Sequence, residues 1–203
     1  MKIEKNEDFF DNWSQDMAYV LGFTMADSCV YSNEYRFGYG INIKDRKILE
    51  YISKLLLNNI NHIKDVIEYR KDTPCHISRL RICSKKIVNK LYSYNIFPRK
   101  TGLEKLPLIP DKYKADYLRG LFDGDGSIHY ANKTQQVFQI VSASQSFLLD
   151  VKKELGFNFG YIHNKSTCWS WYVYKQKEIK KIKDFIYYLG HNFSLERKRI
   201  KFK

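Results

Sequence analysis

Apolar and polar positions change their period several times along this 203-residue chain, and each change predicts an element. From Val30 to Lys44 the residues alternate: Ile41 and Ile43 fall on one side, Asn42 and Lys44 on the other. Alternation of that kind predicts strands with one buried face, and Ser32-Asn33-Glu34 is a turn between two of them. At Asp45 the period lengthens. Ile48, Ile52, Leu55 and Leu56 form the apolar stripe of a helix that Asn58-Asn59 ends. Alternation returns over residues 62–69 and 75–83, where Leu80 and Ile82 alternate with Arg79 and Arg81 and a turn around Lys71-Asp-Thr-Pro74 joins the strands. Ser84 is placed to cap a third helix carrying Ile87, Val88 and Leu91, and Asn95-Ile-Phe-Pro98 stops it.

Residues 99–110 hold Gly102, Pro107 and Pro110 and no helical pattern, so they read as a linker. Beyond them the same order recurs. A turn at Ala131-Asn132-Lys133 precedes a strand over 136–142, with Phe138 and Ile140 facing a core and Gln139 facing away. Ser144 caps a helix to Leu155 that Gly156 closes. Strands at 159–163 and 167–174 and a helix over 177–189 follow, then a basic tail, Glu196-Arg-Lys-Arg-Ile-Lys-Phe-Lys203. Two halves are therefore expected, 1–105 and 106–203, forming one compact α+β unit.

The halves share more than their order. Tyr19-Val-Leu-Gly-Phe-Thr-Met-Ala-Asp27 aligns with Tyr117-Leu-Arg-Gly-Leu-Phe-Asp-Gly-Asp125, at a constant offset of 98 residues. An offset near half the chain is an internal duplication. Each copy reads as a helix, the first capped by Ser14 or Asp16 and the second by Asp111. Small residues recur four apart, at Ala18, Gly22 and Ala26 and again at Gly120 and Gly124. Positions four apart share a helix face. Since glycine costs a helix interior about 1 kcal/mol relative to alanine, the two stripes predict a close approach of two helix backbones. Asp27 and Asp125 then lie side by side at the negative ends of their helices, where carboxylates are disfavoured unless something positive offsets them. A divalent metal with oxygen ligands suits that place. Asp123 aligns with Met25, so the repeat itself does not require an acid there.

Charge narrows the partner. The chain holds 35 Lys and Arg against 22 Asp and Glu, a net charge of +13, which favours a polyanion, and nucleic acid before a membrane. With 44% apolar residues it can build a sizeable core. Cys29, Cys75, Cys83 and Cys168 form no C-x-x-C, and the five histidines add no zinc spacing, so reduced thiols rather than a zinc site are expected. A charged N-terminal segment and the lack of a long apolar run predict a soluble, intracellular protein without a membrane span.

Leu118-Arg-Gly-Leu-Phe-Asp-Gly-Asp-Gly126 resembles the LAGLIDADG motif at its leading Leu, its Gly, the following Leu and the Asp-x-Asp-Gly end. Val20-Leu-Gly-Phe-Thr-Met-Ala-Asp-Ser28 is a weaker copy, with Met25 and Ser28 where Asp and Gly are usual. Two copies resemble the monomeric, two-motif homing endonucleases. That resemblance implies two pseudo-symmetric αββαββα halves, motif helices packed at a central interface through Gly22, Ala26, Gly120 and Gly124, and antiparallel sheets forming a DNA-binding saddle. It implies Asp27 and Asp125 as the catalytic, metal-binding acids. The cofactor would be Mg2+, with Mn2+ able to substitute, and the partner double-stranded DNA with a long, partly asymmetric site. On the polar strand faces, Asn42, Lys44, Arg79, Arg81, Gln139 and Lys175 are the expected DNA contacts, because amide and guanidinium groups read base edges and lysines hold phosphates. Lys44, Arg79 or Arg81 could stabilise transition-state charge, and Gln139 could orient a water. The same fold also serves as a non-cleaving DNA-binding regulator or an RNA-splicing maturase, and both acids being present favours the nuclease.

Overall fold

A computed structural model describes residues 4–32, 34–132 and 135–202, apart from the side chain of Arg70. The predicted turns at Ser32-Asn33-Glu34 and Ala131-Asn132-Lys133 each include a residue outside the described ones. The elements in order are α1 (Gln15–Asp27), β1 (Ser28–Tyr31), β2 (Arg36–Asn42), α2 (Arg46–Leu57), β3 (Lys64–Arg70), β4 (Thr73–Cys83) and α3 (Lys85–Ser93). Then come α4 (Lys114–Asp125), β5 (Gly126–Tyr130), β6 (Gln136–Ser142), α5 (Gln145–Glu154), β7 (Tyr161–Asn164), β8 (Trp169–Val173), α6 (Gln176–Ile186) and the short α7 (Glu196–Arg199). The fold is α+β, with two four-stranded antiparallel sheets ordered β1-β2-β4-β3 and β5-β6-β8-β7.

By contacts the chain divides into two units. One holds residues 1–13 and 27–99; the other holds 14–26 and 100–203. In the first unit, Phe37, Tyr39, Ile41, Leu80 and Ile82 point from β2 and β4 into a core closed by Ile48, Ile52 and Leu56 of α2 and by Ile87, Val88 and Leu91 of α3. Ser84 caps α3, accepting from the Ile87 amide at 3.2 Å. Lys71 and Asp72, at φ +47° and +64°, make the tight turn between β3 and β4; left-handed residues at both positions match the right-handed twist of a hairpin. In the second unit, Phe138, Ile140, Trp171 and Val173 face α5 and α6, and Ser144 caps α5 through the Phe147 amide at 3.2 Å.

Besides shifts of one or two residues at the ends of β3, β4, β7 and β8, three boundaries differ from the pattern. β2 stops at Asn42, and residues 43–45 form a 3₁₀ turn that leaves Ile43 exposed, because the Asn42 side chain accepts from the Lys44 amide and turns the chain. α4 begins at Lys114, after a 3₁₀ turn over 111–113, and Asp111 pairs with Lys114 instead of capping the helix. α6 ends at Ile186, short of the predicted Leu189, which is fully exposed.

The second unit also contains α1, which lies against α4 with no room for a side chain between the two backbones. A Cβ at Gly22 would overlap the Tyr117 carbonyl oxygen and stand 2.9 Å from the Leu121 amide nitrogen. A Cβ at Gly120 would overlap the Tyr19 carbonyl oxygen and stand 2.9 Å from the Phe23 amide nitrogen. Tyr19 precedes Gly22 by three residues, as Tyr117 precedes Gly120, so the contact is reciprocal. Where a Cβ would strike a carbonyl oxygen, glycine instead aims a Cα–H at it, a weak hydrogen bond in place of a clash.

Gly22→Ala and Gly120→Ala should each destabilise the protein by about 2 kcal/mol or more in urea unfolding, despite the ~1 kcal/mol that alanine gains in helix propensity. A Cβ at Gly40 meets nothing nearer than 3.9 Å, so Gly40→Ala should cost less than about 1 kcal/mol. Equal responses at all three positions would show that the helix approach is not limiting.

Candidate functional site

Asp27 is the last residue of α1 and is exposed; Asp125 is the last residue of α4 and is half-buried. Both carboxylates stand at helix C-termini, where the macrodipole is negative. Ser14, not Asp16, caps α1, accepting from the Met17 amide at 3.0 Å.

At the end of α4 a positive group is already in place. The predicted basic tail, as far as residue 202, is in fact folded: α7 buries Lys198, which is 6% exposed, and its Nζ shares its three N–H groups among the carbonyl oxygens of Phe122 (2.9 Å), Asp123 (2.7 Å), Gly124 (3.0 Å) and Gly126 (2.7 Å). Helix-end carbonyls have no intrahelical donors. One ammonium therefore supplies both hydrogen bonds and the charge that opposes the dipole. The offsetting positive charge expected at this helix end thus comes at least partly from the chain itself. No sequence signal marks Lys198, because its acceptors lie 72 to 76 residues away.

Asp123 is buried and turned inward. Its Oδ2 accepts from the Tyr19 hydroxyl and from the Leu195 amide, each at 2.8 Å, while Oδ1 has no hydrogen-bond partner among the described residues. Burial pushes its carboxyl up to about 6, against the lowering effects of the Leu195 amide, Lys198, Tyr19 and Arg119. Its counterpart Met25 is equally buried, which is the one sequence hint that this position faces inward. Nearby, Arg119 and Asp116 form an ion pair at 2.7 Å with both side chains wholly buried. The Arg119 guanidinium also donates to Phe193 O (2.7 Å) and Ile186 O (3.0 Å), and the Tyr188 hydroxyl donates to Asp116 at 2.8 Å. These bonds tie the chain after α6 to α4.

The remaining candidates lie on or beside the sheets. Arg81 is exposed and Arg79 half-buried, both on the outer face of β4, and Arg79 pairs with Glu68. Asn42 is exposed, but its side chain is engaged by the Lys44 amide at 3.0 Å; Lys44 is exposed in the 3₁₀ turn. Gln139 is half-buried on the outer face of β6 and accepts from Lys165 at 3.0 Å. Lys175 stands past β8, at the start of α6, 3.4 Å from Glu178. Ala26 and Gly124 are half-buried near the ends of α1 and α4. The outer face of the second sheet also carries a group that sequence reasoning did not single out. His129 Nε2 lies 3.3 Å from the Tyr172 hydroxyl, His163 packs edge-on to Tyr172, and Lys165 lies 5.5 Å from that ring's centre.

Residues 112–186 match the family model of the LAGLIDADG-like domain. The chain carries a LAGLIDADG-like domain. Solved structures extend the likeness over both halves. The LAGLIDADG meganuclease I-AabMI, bound to uncleaved DNA, matches with a TM-score of 0.59 over 90% of this chain and 86% of its own, at 14% identity. The homing endonuclease I-WcaI, bound to its DNA recognition sequence, matches with a TM-score of 0.64 over 97% of this chain and 91% of its own, at 12% identity. I-SmaMI, bound to uncleaved DNA in the presence of calcium ions, matches with a TM-score of 0.54 over 90% and 87%, at 15% identity. These likenesses are of fold: the chain shares the fold of these LAGLIDADG structures. Comparison with curated proteins gives no match.

A divalent ion fits the two helix-end acids by donor chemistry. Asp27 and Asp125 carry carboxylate oxygens, the ligands that hard cations take. Among the described residues no group of three or more His, Cys, Asp and Glu side chains is gathered, so an ion at either acid would complete its shell with water and phosphate oxygen, as Mg2+ commonly does. No described helix is long and apolar enough to cross a membrane.

Lys198→Met should destabilise the protein by about 3 kcal/mol, because several carbonyls would lose their donor in a buried place. Asp123 gives a pH dependence with a definite sign. Its folded value, about 6, lies above the ordinary 3.8, so the folded state holds the proton more tightly. Its stabilising contribution is present below pH 4 and is lost as pH rises through 6, about 3 kcal/mol in all. Urea unfolding in EDTA should show that fall for the natural chain and not for Asp123→Asn.

Proposed function

We propose that the chain is a monomeric, site-specific endonuclease that hydrolyses both strands of double-stranded DNA with Mg2+, Mn2+ being able to substitute. The observation that carries this reading is the acid retained at the C-terminal end of each motif helix, Asp27 on α1 and Asp125 on α4, in a chain of net charge +13 with the LAGLIDADG fold. When bound, the metal supplies Lewis-acid polarisation of the phosphate and a lowered pKa for an attacking water.

The chain's own residues have separable tasks. Asp27 and Asp125 hold the ions, one acid per motif helix. Lys198 steadies the backbone that carries Asp125, through its bonds to the carbonyls around it. Arg79, Arg81 and Gln139 contact base edges from the outer strand faces, while Lys44 and Lys175 contact phosphates. The two outer faces differ in chemistry, arginines on the first sheet and His, Tyr and Gln on the second, which supports a long target that is not palindromic. The proposed halves, 1–105 and 106–203, each take one side of that target.

The test is incubation with a randomised DNA library in Mg2+ or Ca2+, followed by sequencing of cut ends. Cutting at one long site in Mg2+ is expected. Asp27→Asn and Asp125→Asn should each lower cleavage by roughly a hundredfold or more while retaining sequence-specific binding. Full activity of Asp125→Asn would overturn the metal assignment. Specific retention without any cutting would instead identify a regulator, and neither cutting nor retention would favour an RNA target.

A further inference from the structure

Resting on the DNA-endonuclease reading, we infer that Arg81 is the guanine-reading residue of the first sheet, and that Gly38 and Gly40 are what give it access to a base. Among the described side chains the outer face of that sheet carries three arginines, and two are engaged. Arg36 pairs with Glu34 and lies 4.3 Å from the centre of the Tyr31 ring. Arg79 pairs with Glu68. Arg81 is exposed and forms no ion pair among the described residues. An exposed guanidinium without a carboxylate partner keeps all five donors available to a ligand.

Its position separates a base contact from a phosphate contact. The sheet order is β1-β2-β4-β3, so β2 and β4 are the central strands. Strands lie about 4.8 Å apart, and the major groove is about 12 Å wide. A sheet seated in that groove turns its outer strands toward the phosphate walls and its central pair toward the base edges. Of the central pair, β2 presents only hydrogen opposite the two arginines of β4: Gly38 pairs with Arg81, and Gly40 with Arg79. A Cβ at Gly38 would overlap the Leu80 carbonyl oxygen and stand 3.2 Å from Cα and Cγ of Arg81, so the bare glycine first lets β2 sit against the β4 backbone and also leaves the arginine stem room to lie low across β2. Hollows flank the two arginines on either side. One, of about 210 Å³, has Cys29, Tyr31, Gly38 and Gly40 on its wall. The other, of about 310 Å³, has His62, Lys64 and Val66. Arg79 and Arg81 line both, and Glu68, the partner of Arg79, lines the first.

A planar fork exposed between such hollows matches the O6 and N7 acceptors of guanine, which one arginine engages with two parallel bonds. Arg79 has part of its donor set committed to Glu68, so Arg81 carries the discrimination.

The experiment is selection from a randomised DNA library in Ca2+, followed by binding titrations of the selected site at several salt concentrations. The proteins compared are the natural chain, Arg81→Ala and Arg81→Lys. The expected result is a guanine preference at one position that falls about ten- to a hundredfold in Arg81→Ala, with the other positions unchanged. Arg81→Lys should lose the same preference, because an ammonium has charge but no fork. Uniform weakening across all sequences, with the salt slope reduced by about one and affinity restored by lysine, would make Arg81 a phosphate contact. That would overturn this inference and leave the endonuclease reading standing. If the natural chain selects no sequence at all, the inference and the endonuclease reading fail together.

Discussion

Backbone touches backbone where α1 crosses α4, and the rest of the second unit is built to permit it. Gly22 and Gly120 each meet the carbonyl of the tyrosine that opens the other helix's motif. At that separation no side chain fits between the helices, so neither glycine can be replaced by a residue of better helix propensity. The contact also fixes where the end of α4 lies: Gly120 stands five residues before Asp125, less than two turns along the same helix. A shift of the seam would carry that acid with it.

Close approach leaves a polar problem at the helix ends, and the chain after α6 supplies the groups that answer it. Leu195 donates its amide hydrogen to Asp123, Lys198 shares its three N–H groups among four carbonyls around the end of α4, and the carbonyls of Ile186 and Phe193 accept from Arg119. A buried ion pair such as Asp116–Arg119 is weak evidence for stability but costly to break on one side only. The C-terminal segment therefore acts as a brace for the helix that ends in Asp125, and the buried charges fix its position.

Much of this was legible in the sequence. Alternation located the strands because each sheet has one buried face, and Ser84 and Ser144 marked helix starts because their hydroxyls have only local amides to reach. The glycine stripe gave the helix seam. What could not be read were interactions between distant residues. Lys198 reads as one charge of a basic tail, because its acceptors are more than seventy residues away. Lys44 continued an alternating pattern, yet the Asn42 side chain bends the strand before reaching it. The inward turn of Asp123 depends on Tyr19 and Leu195, neither of which lies near it in sequence. The engagement of Gln139 by Lys165 likewise arises from strand pairing rather than from local order.

The most direct test of the central claim is a double-mutant cycle on Gly22→Ala and Gly120→Ala, read by urea unfolding. If both glycines serve a single backbone contact, the first alanine already forces the helices apart and the second costs much less. The double variant should then be little less stable than the worse single one, with a coupling of at least about 1 kcal/mol. Additive losses, within about 0.5 kcal/mol, would mean that the two glycines act independently and that no shared close approach holds the motif helices together.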